Sequence, residues 1–136
     1  MDRKLKFRLC FDNGIPTATL QQKRATIKNG HIMMFEPPNV KSAISIFHYK
    51  LHKYKPDTPF EGPVQVSITW TFGTKSKAKI GFFRTSRPDI DNMAKILIDR
   101  MTKLGFWKDD SQISVLYLEK IWGEHSTIDI SIMELE

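Results

Sequence analysis

Two pairs of aspartates stand at the two ends of one short predicted helix. Asp89 and Asp91 open the helix, and Asp109 and Asp110 follow its end. Taken alone, an aspartate at a helix start is more often an N-cap, and a pair after a helix is more often part of a surface turn. If the chain turns back after the helix, however, four carboxylates converge, and without a cation they would repel one another. Convergence therefore favours a divalent metal such as Mg²⁺, which prefers oxygen ligands.

The length of this helix sets a geometric condition on the site. At 1.5 Å per residue, a helix of roughly sixteen residues holds its ends about 24 Å apart. Gly105 is positioned to end the helix, and a strand returning from it would carry Asp110 towards Asp89 and Asp91. Convergence is thus an expectation that the fold must meet.

Lys95 extends the candidate site along the helix. It lies four residues after Asp91 and therefore on the same helical face. One interpretation is a surface salt bridge to Asp91, worth roughly 0.2–0.5 kcal/mol. The functional interpretation is that Lys95 steadies the charge on a phosphate under attack, in a site where bound metal activates water. Asp99 continues the line and is interpreted as structural.

The charge distribution favours a polyanionic substrate. The net charge is +6 and the pI is near 9.5, although many soluble proteins are basic without binding nucleic acid. Residues 1–86 carry 15 lysines and arginines against 5 acids, whereas residues 87–136 carry 6 against 10. A basic body with an acidic focus is what a metal-dependent nuclease needs. Cationic residues in a loop are more commonly just solvated. Here, however, five of them lead into the site and are predicted to contact phosphates: Lys75, Lys77, Lys79, Arg84 and Arg87.

Hydrophobic periodicity predicts the elements that position these residues. Asn29-Gly30 is expected to turn a hairpin, Asn39 to cap the first helix, and residues 80–83 to form an edge segment. The fold class is α+β: one domain over residues 1–136, with a mixed sheet and two helices packed on one face. The predicted elements are strand 3–11, hairpin strands 24–28 and 31–35, helix 40–54, strand 64–72, helix 90–104, strand 113–122 and strand 127–133.

Several classes of protein are disfavoured. No apolar run is long enough for a membrane span, and the charged N-terminus does not look like a signal peptide. The single cysteine, Cys10, is expected to be mildly buried and predicts a reducing, cytoplasmic setting. Four aromatic residues lie near the site in the sequence: Phe82, Phe83, Phe106 and Trp107. They could belong to the core, to an interface or to a surface that stacks on bases, and the core is expected for most of them.

The segment 87–120 resembles the RusA family of Holliday junction resolvases. The shared pattern is D-x-D-N, a lysine four residues after the second aspartate, a helix, and then D-D-x-Q-[IV] leading into a strand. In this chain it reads Arg87-Pro88-Asp89-Ile90-Asp91-Asn92, then Lys95 and Asp99, then Gly105-Phe106-Trp107-Lys108-Asp109-Asp110-Ser111-Gln112-Ile113, with Glu119-Lys120 beyond. The N-terminal half departs from the family, because the segment 15–24 lacks the asparagine of the usual Pro-Pro-Ser-x-Asn motif.

The resemblance implies a homodimeric endonuclease that cuts four-way DNA junctions by paired nicks and needs Mg²⁺, or Mn²⁺ as a substitute. It implies that Asp89, Asp91 and Asp110 bind the metal and that Lys95 supports catalysis, with Asp109 a fourth ligand or a structural neighbour. It also implies a phage or prophage connection and a role in DNA recombination and repair. Two alternatives stay open: a branched-DNA-binding module without catalysis, and a nuclease for flaps or forks.

Overall fold

The computed structural model describes residues 3–17, 24–28, 30–35 and 38–136, with the backbone alone for 24–28, 31–35 and 38–40. Its strands and helices follow the predicted order closely. They are β1 (Lys4–Cys10), β2 (Arg24–Lys28), β3 (His31–Phe35), α1 (Pro38–His52), β4 (Val64–Gly73), α2 (Ile90–Leu104), a 3₁₀ turn (Asp110–Gln112), β5 (Ile113–Gly123) and β6 (Thr127–Glu134).

Four of the strands form one mixed sheet in the order β1-β6-β4-β5. The β1–β6 and β6–β4 pairs are antiparallel, whereas β4 and β5 run parallel. Parallel neighbours need a crossover connection, and α2 supplies it here. The hairpin of β2 and β3 forms a separate two-stranded sheet. The α+β class and the mixed sheet are therefore confirmed.

The core lies between one face of this sheet and the two helices. Along β4 every second side chain is buried, from Val64 to Phe72. Phe47 and Leu51 of α1 and Leu97 of α2 belong to the same hydrophobic cluster. Since α1 and α2 also contact each other, both helices cover this single face of the sheet. No helix in the described part of the chain is long and apolar enough to cross a membrane.

Gly105 ends α2 as expected. Its backbone is left-handed (φ 88°), and its N–H donates to the carbonyls of Met101 and Thr102. A residue with a side chain is strained at such a φ, so glycine suits this position. The turn also releases the chain towards Phe106 and Trp107, which are buried as predicted.

Three local expectations were wrong. The first helix begins at Pro38, so Asn39 lies inside α1 instead of capping it. Proline suits a first helical position because its missing N–H has no partner there in any case. Cys10 is exposed, because it alternates with the buried Leu9. Phe82 and Phe83 are 68% and 71% exposed and lie outside the core.

Two further expectations concern the edge segment and the hairpin. Residues 80–83 do run along an edge: Phe83 bridges Ile121, and Trp122 N–H donates to the Phe82 carbonyl at 3.0 Å. The hairpin pairing of β2 and β3 is confirmed. Asn29 of its predicted turn lies outside the described residues.

Candidate active site

The loop that carries the first aspartates is fixed to β5 by one lysine. The Lys120 ammonium donates to the Ser86 carbonyl at 2.6 Å and to the Pro88 carbonyl at 2.7 Å. Lys120 lies on the face of β5 that also carries Leu118, which packs against the core. Hydrogen bonds from a charged donor are the stronger kind. They hold the backbone directly before Asp89.

Arg84 fixes the same loop from its other side. Its guanidinium lies 4.1 Å from the ring centre of Phe72 and 4.6 Å from that of Trp122. It donates to the Ser86 hydroxyl at 3.0 Å and to the Arg87 carbonyl. Burial lowers the pKa of the Arg84 guanidinium from its ordinary value. A residue predicted as a phosphate contact is thus engaged inside the protein.

The first aspartate pair is exposed at the start of α2. Asp89 occupies the N-cap position, yet its side chain makes no capping hydrogen bond. Its one recorded side-chain partner is the Asn92 amide, which donates to Oδ2 at 3.4 Å. Asp91 lies in the first turn and is also exposed. The helix start therefore leaves both carboxylates accessible to a ligand.

Lys95 is exposed on the same helix and forms no ion pair with Asp91. Within the described residues, the carboxylates in ion pairs are Asp129, which binds Arg8, and Asp99, which binds Lys103 at 3.2 Å. The structural interpretation of Asp99 is thereby confirmed. The Lys95 ammonium is consequently available to an external anion.

The second aspartate pair divides its roles. Asp109 accepts a hydrogen bond from the Ser111 N–H at 2.8 Å and caps the 3₁₀ turn. That bond lowers the pKa of the Asp109 carboxyl. Gln112 completes the capping box, because its Oε1 accepts from the Asp109 N–H at 3.1 Å. Asp110 is exposed beside them, with its carboxylate outside this capping box.

Gln112 ties this turn to the rest of the fold. Its Oε1 also accepts from the Lys108 N–H at 2.9 Å. Its Nε2 donates to the carbonyls of Phe60 at 3.0 Å and Gly62 at 2.9 Å. One side chain thereby makes four hydrogen bonds, and the D-D-x-Q pattern has a local physical explanation.

The two aspartate pairs lie at opposite ends of α2 and of β5. The turn holding Asp110 is bound to the segment before β4, and Ile113 pairs with Val64 at the start of β4. Lys120, near the far end of β5, contacts the loop before Asp89. At about 3.3 Å per residue, Ile113 and Lys120 are about 23 Å apart. The expectation that the chain brings Asp110 back beside Asp89 and Asp91 was therefore wrong within one chain.

A three-carboxylate metal site is accordingly not formed by a single chain. Among the described residues, no group of three or more His, Cys, Asp or Glu side chains is placed to hold a metal ion. Asp89 and Asp91 offer two carboxylates at one helix end, and Mg²⁺ commonly takes only one or two from a protein.

The predicted lysine contacts lie in the exposed loop between β4 and α2. Lys75, Lys77 and Lys79 are all exposed. The Lys79 ammonium lies 5.0 Å from the ring centre of Trp122, which is the ring that also stacks on Arg84. Arg87 is exposed two residues before Asp89. This loop therefore presents cations on the approach to the first aspartate pair.

Two site residues were given no role from sequence. Gln112 was recognised only as part of a motif, and Lys120 only as a residue beyond it. The sequence did contain a signal for Lys120, because Lys120 shares one face of the predicted strand with Leu116 and Leu118. A lone lysine on such a face calls for a nearby acceptor. Gln112 offered no comparable signal, since its acceptors lie about fifty residues earlier in the chain.

Exposed carboxylates and a lysine on a basic α+β domain fit an enzyme that cleaves phosphodiesters, and the comparison with known proteins assigns the chain to that class. The family model for the endodeoxyribonuclease RusA matches residues 13–133. The chain therefore belongs to the RusA family of Holliday junction resolvases and is an endodeoxyribonuclease.

Two relatives extend the comparison. A protein of Lactococcus phage r1t, called crossover junction endodeoxyribonuclease rusA, is 34% identical over 133 residues. That alignment covers 96% of this chain and 100% of the relative. The uncharacterised protein YqaN of Bacillus subtilis (strain 168) is 29% identical over 123 residues, covering 82% of this chain and 86% of the relative. The match extends well beyond the motif segment and into the N-terminal half.

Proposed function

We propose that this protein resolves four-way DNA junctions by paired nicks. The observation that carries the proposal is the exposed Asp89 and Asp91 pair at the start of α2, with Lys95 one turn further along the helix. Lys120 fixes the loop before this pair, and the chain belongs to the RusA family. Water attacks the scissile phosphorus in line and the bond to the 3′ oxygen breaks. The products are a 5′-phosphate and a 3′-hydroxyl, and the leaving oxygen takes up a proton. Lys95 stabilises the charge on the non-bridging oxygens.

The proposal includes a homodimer with composite active sites. Asp110 is exposed but lies at the opposite end of α2 from Asp89 and Asp91. A twofold dimer in which the outer edge of β5 meets its copy would bring the partner subunit's Asp110 towards the first aspartate pair, because Asp110 and the Asp89 loop lie at opposite ends of β5. Two such sites suit a junction that is itself symmetric. Asp109 stays a structural neighbour, since its carboxylate caps the 3₁₀ turn.

Exposed apolar residues near the sheet edge support self-association. Leu116 and Tyr117 are 42% and 62% exposed on β5. In the part of the chain that the structure describes, no strand pairs with the outer edge of β5 before Lys120. Phe82 and Phe83 are exposed further along the same edge. Such an edge is prone to bind another chain.

The proposed cofactor is a divalent metal, as is general in this family. Mg²⁺ is proposed as the ion, with Mn²⁺ as a substitute, because every candidate ligand is a carboxylate oxygen. Asp89 and Asp91 would hold it from one subunit, and Asp110 from the other. The DNA contacts proposed around this site are Lys75, Lys77, Lys79 and Arg87, with Arg84 acting on the loop that carries them. The cytoplasm, where DNA is recombined, is the proposed place of action.

Cleavage of labelled four-way junctions tests the proposed function directly. We expect wild-type protein with Mg²⁺ to make symmetric nicks and to stop when EDTA is added. An Asp91→Asn variant should bind junctions with unchanged affinity but no longer cut them. Binding without cleavage by wild type would instead show a DNA-binding module. Faster cutting of flaps or forks than of four-way junctions would reassign the substrate.

A further inference from the structure

A cationic groove lies between α1 and the edge strand β1. Its larger part is a cleft of about 1030 Å³ between Arg8 to Cys10 on β1 and the outer face of α1. A smaller cleft of about 430 Å³ lies between α1 and α2. The two clefts share Ile44, Ser45 and Arg100, so they adjoin each other along α1 and are together called the groove.

The lining of this groove is strongly basic. Asp99 is the single acid among the lining residues that the structure describes. The six lining lysines and arginines are Arg8, Lys41, Lys50, Lys53, Arg100 and Lys103. A concave surface with one sign of charge concentrates ligands of the opposite charge.

Three of these six cations form a hydrogen bond or an ion pair within the protein, and the Lys53 ammonium lies 5.5 Å from the ring centre of Tyr54. Arg8 binds Asp129 at 2.7 Å, Lys50 donates to the Cys10 carbonyl at 2.6 Å, and Lys103 binds Asp99 at 3.2 Å. Lys41 and Lys53 are exposed and form no ion pair among the described residues. They are therefore available to an anion.

Arg100 gives an independent reason to expect a ligand. Its Nε is buried and finds no hydrogen-bond partner in the part of the chain that the structure describes. A buried donor without a partner is costly, and such groups are uncommon in folded proteins. Because Arg100 lines both clefts, a ligand in the groove lies next to this guanidinium.

The groove also leads away from the candidate active site. Lys95, Asp99 and Lys103 lie four residues apart along one stripe of α2. The stripe runs about 12 Å from Lys95, on the proposed catalytic face, to the smaller cleft at Lys103. A single extended polyanion can therefore contact both.

We infer that this groove holds the phosphate backbone of a junction arm, away from the strand that is cut. The inference rests on the proposed function, since it concerns the same substrate. The contacts are to phosphate, so they strengthen binding without reading sequence. The groove thus serves arm binding and is separate from the residues that perform the reaction.

Binding in a cleavage-deficient background tests the inference. In Asp91→Asn protein, Lys41→Gln with Lys53→Gln removes two exposed groove cations. We expect junction affinity to fall about tenfold and the slope of log K against log salt to decrease by about 2. The matched control, Lys4→Gln with Lys6→Gln on the outer sheet face, removes the same charge and should leave both within twofold. Arg100→Gln, made separately and checked by melting temperature, should weaken binding in the same way.

The outcomes separate the groove from the enzyme. The loss of junction affinity should appear when the junction arms are long enough to reach the groove. It should disappear when the arms are too short to extend beyond the catalytic face. The inference is overturned if the Lys41→Gln, Lys53→Gln variant binds junctions as tightly as the protein with an intact groove. It is also overturned if the Lys4→Gln, Lys6→Gln control loses as much affinity as the groove variant. Loss of affinity for polyglutamate but not for the junction also overturns it, because the groove would then serve an acidic protein. Failure of wild type to cut junctions, with groove-dependent binding intact, overturns the proposed function alone.

Discussion

The two aspartate pairs have the same residue type but contrasting surroundings. Asp89 and Asp91 stand at the start of α2, and the protein holds the loop before them through backbone carbonyls, so their own carboxylates are spared. Asp109 is itself the structural device, because its carboxylate caps the turn and leaves only Asp110 outside the capping box. The first pair offers two ligands and the second offers one.

This contrast shows how a family motif combines scaffold and chemistry. In D-x-D the spacing puts both carboxylates around the helix start, where the free N–H groups and the helix dipole favour negative charge. In D-D-x-Q the first aspartate and Gln112 build the turn that presents the second aspartate. The separation of the pairs along α2 then makes the dimer part of the chemical proposal.

The largest expected effect comes from mixing two inactive subunits. Asp91→Asn and Asp110→Asn should each reduce junction cleavage by at least about 100-fold, as expected when a group that stabilises the transition state is removed. In a composite arrangement, a heterodimer of the two variants regains one wild-type site. Co-expression with different tags, followed by purification of the mixed dimer, should therefore restore nicking of one strand per junction.

The mixing experiment has a clear contrary result. If each site lay within one chain, every site of the heterodimer would carry one substitution and activity would stay absent. Asp99→Asn is the matched control, because Asp99 is a carboxylate on the same helix that binds Lys103 at the surface. It should cut junctions at nearly the wild-type rate.

A smaller effect is expected from releasing the loop of the first pair. Lys120→Met removes the hydrogen bonds to Ser86 and Pro88 while keeping an unbranched side chain. Since bonds to charged groups are worth about 1.5–3 kcal/mol, the loss should misplace Asp89 and lower kcat about tenfold or more. Junction cleavage at saturating substrate measures this change.

The readout must separate positioning from simple folding. Lys120→Arg keeps a charged donor and should recover part of kcat, whereas Lys108→Met changes an exposed lysine elsewhere and should have no effect. Because the Lys120 ammonium is engaged by the Ser86 and Pro88 carbonyls, we expect it to act through Asp89, and KM should change little. A large rise in KM with kcat unchanged would instead make Lys120 a DNA contact.

Local patterns predicted most of the fold because its elements have clear periodicities. The alternation of Val64 to Phe72 and the helical spacing of Met93, Leu97 and Met101 match the buried faces that the structure shows. Gly105 was identified as a C-cap for the reason that the structure gives, a left-handed backbone. Element boundaries were less secure, as Asn39 shows, because a cap depends on where hydrogen bonding begins.

For the candidate site, the sequence indicates which residues to consider but not how the fold arranges them. The exposed Asp89, Asp91 and Lys95 follow from local chemistry. The position of Asp110 depends on β5 running parallel to β4, and strand direction is a tertiary property that periodicity does not contain. The roles of Gln112 and Lys120 depend in the same way on carbonyls far away in sequence.

The scaffold side of the second pair can be tested through stability. Gln112→Ala removes four hydrogen bonds and should lower the free energy of unfolding by about 2–4 kcal/mol, taking about 0.5–1.5 kcal/mol for each bond less some compensation by water. Chemical denaturation measures the change. Gln112→Glu keeps the acceptor oxygen but loses the donors to Phe60 and Gly62, so it should also destabilise. An unchanged midpoint for both variants would mean that this turn is not a structural anchor.

The smallest effect concerns the pH dependence of the Asp109 cap. The Ser111 N–H lowers the pKa of Asp109 in the folded protein below its ordinary value of 3.8. A depressed folded pKa contributes stability above the unfolded pKa, and that contribution is lost as pH falls through the folded pKa. Asp109→Asn should therefore be slightly less stable than wild type at neutral pH, and the difference should shrink as pH falls below about 4.

Melting curves across this range, repeated in 1 M salt, distinguish a hydrogen bond from long-range charge effects, because salt screens the latter over about 3 Å. A gap that widened on acidification would mean that the Asp109 carboxylate is held unfavourably in the fold, which would remove the contrast between a structural Asp109 and an available Asp110.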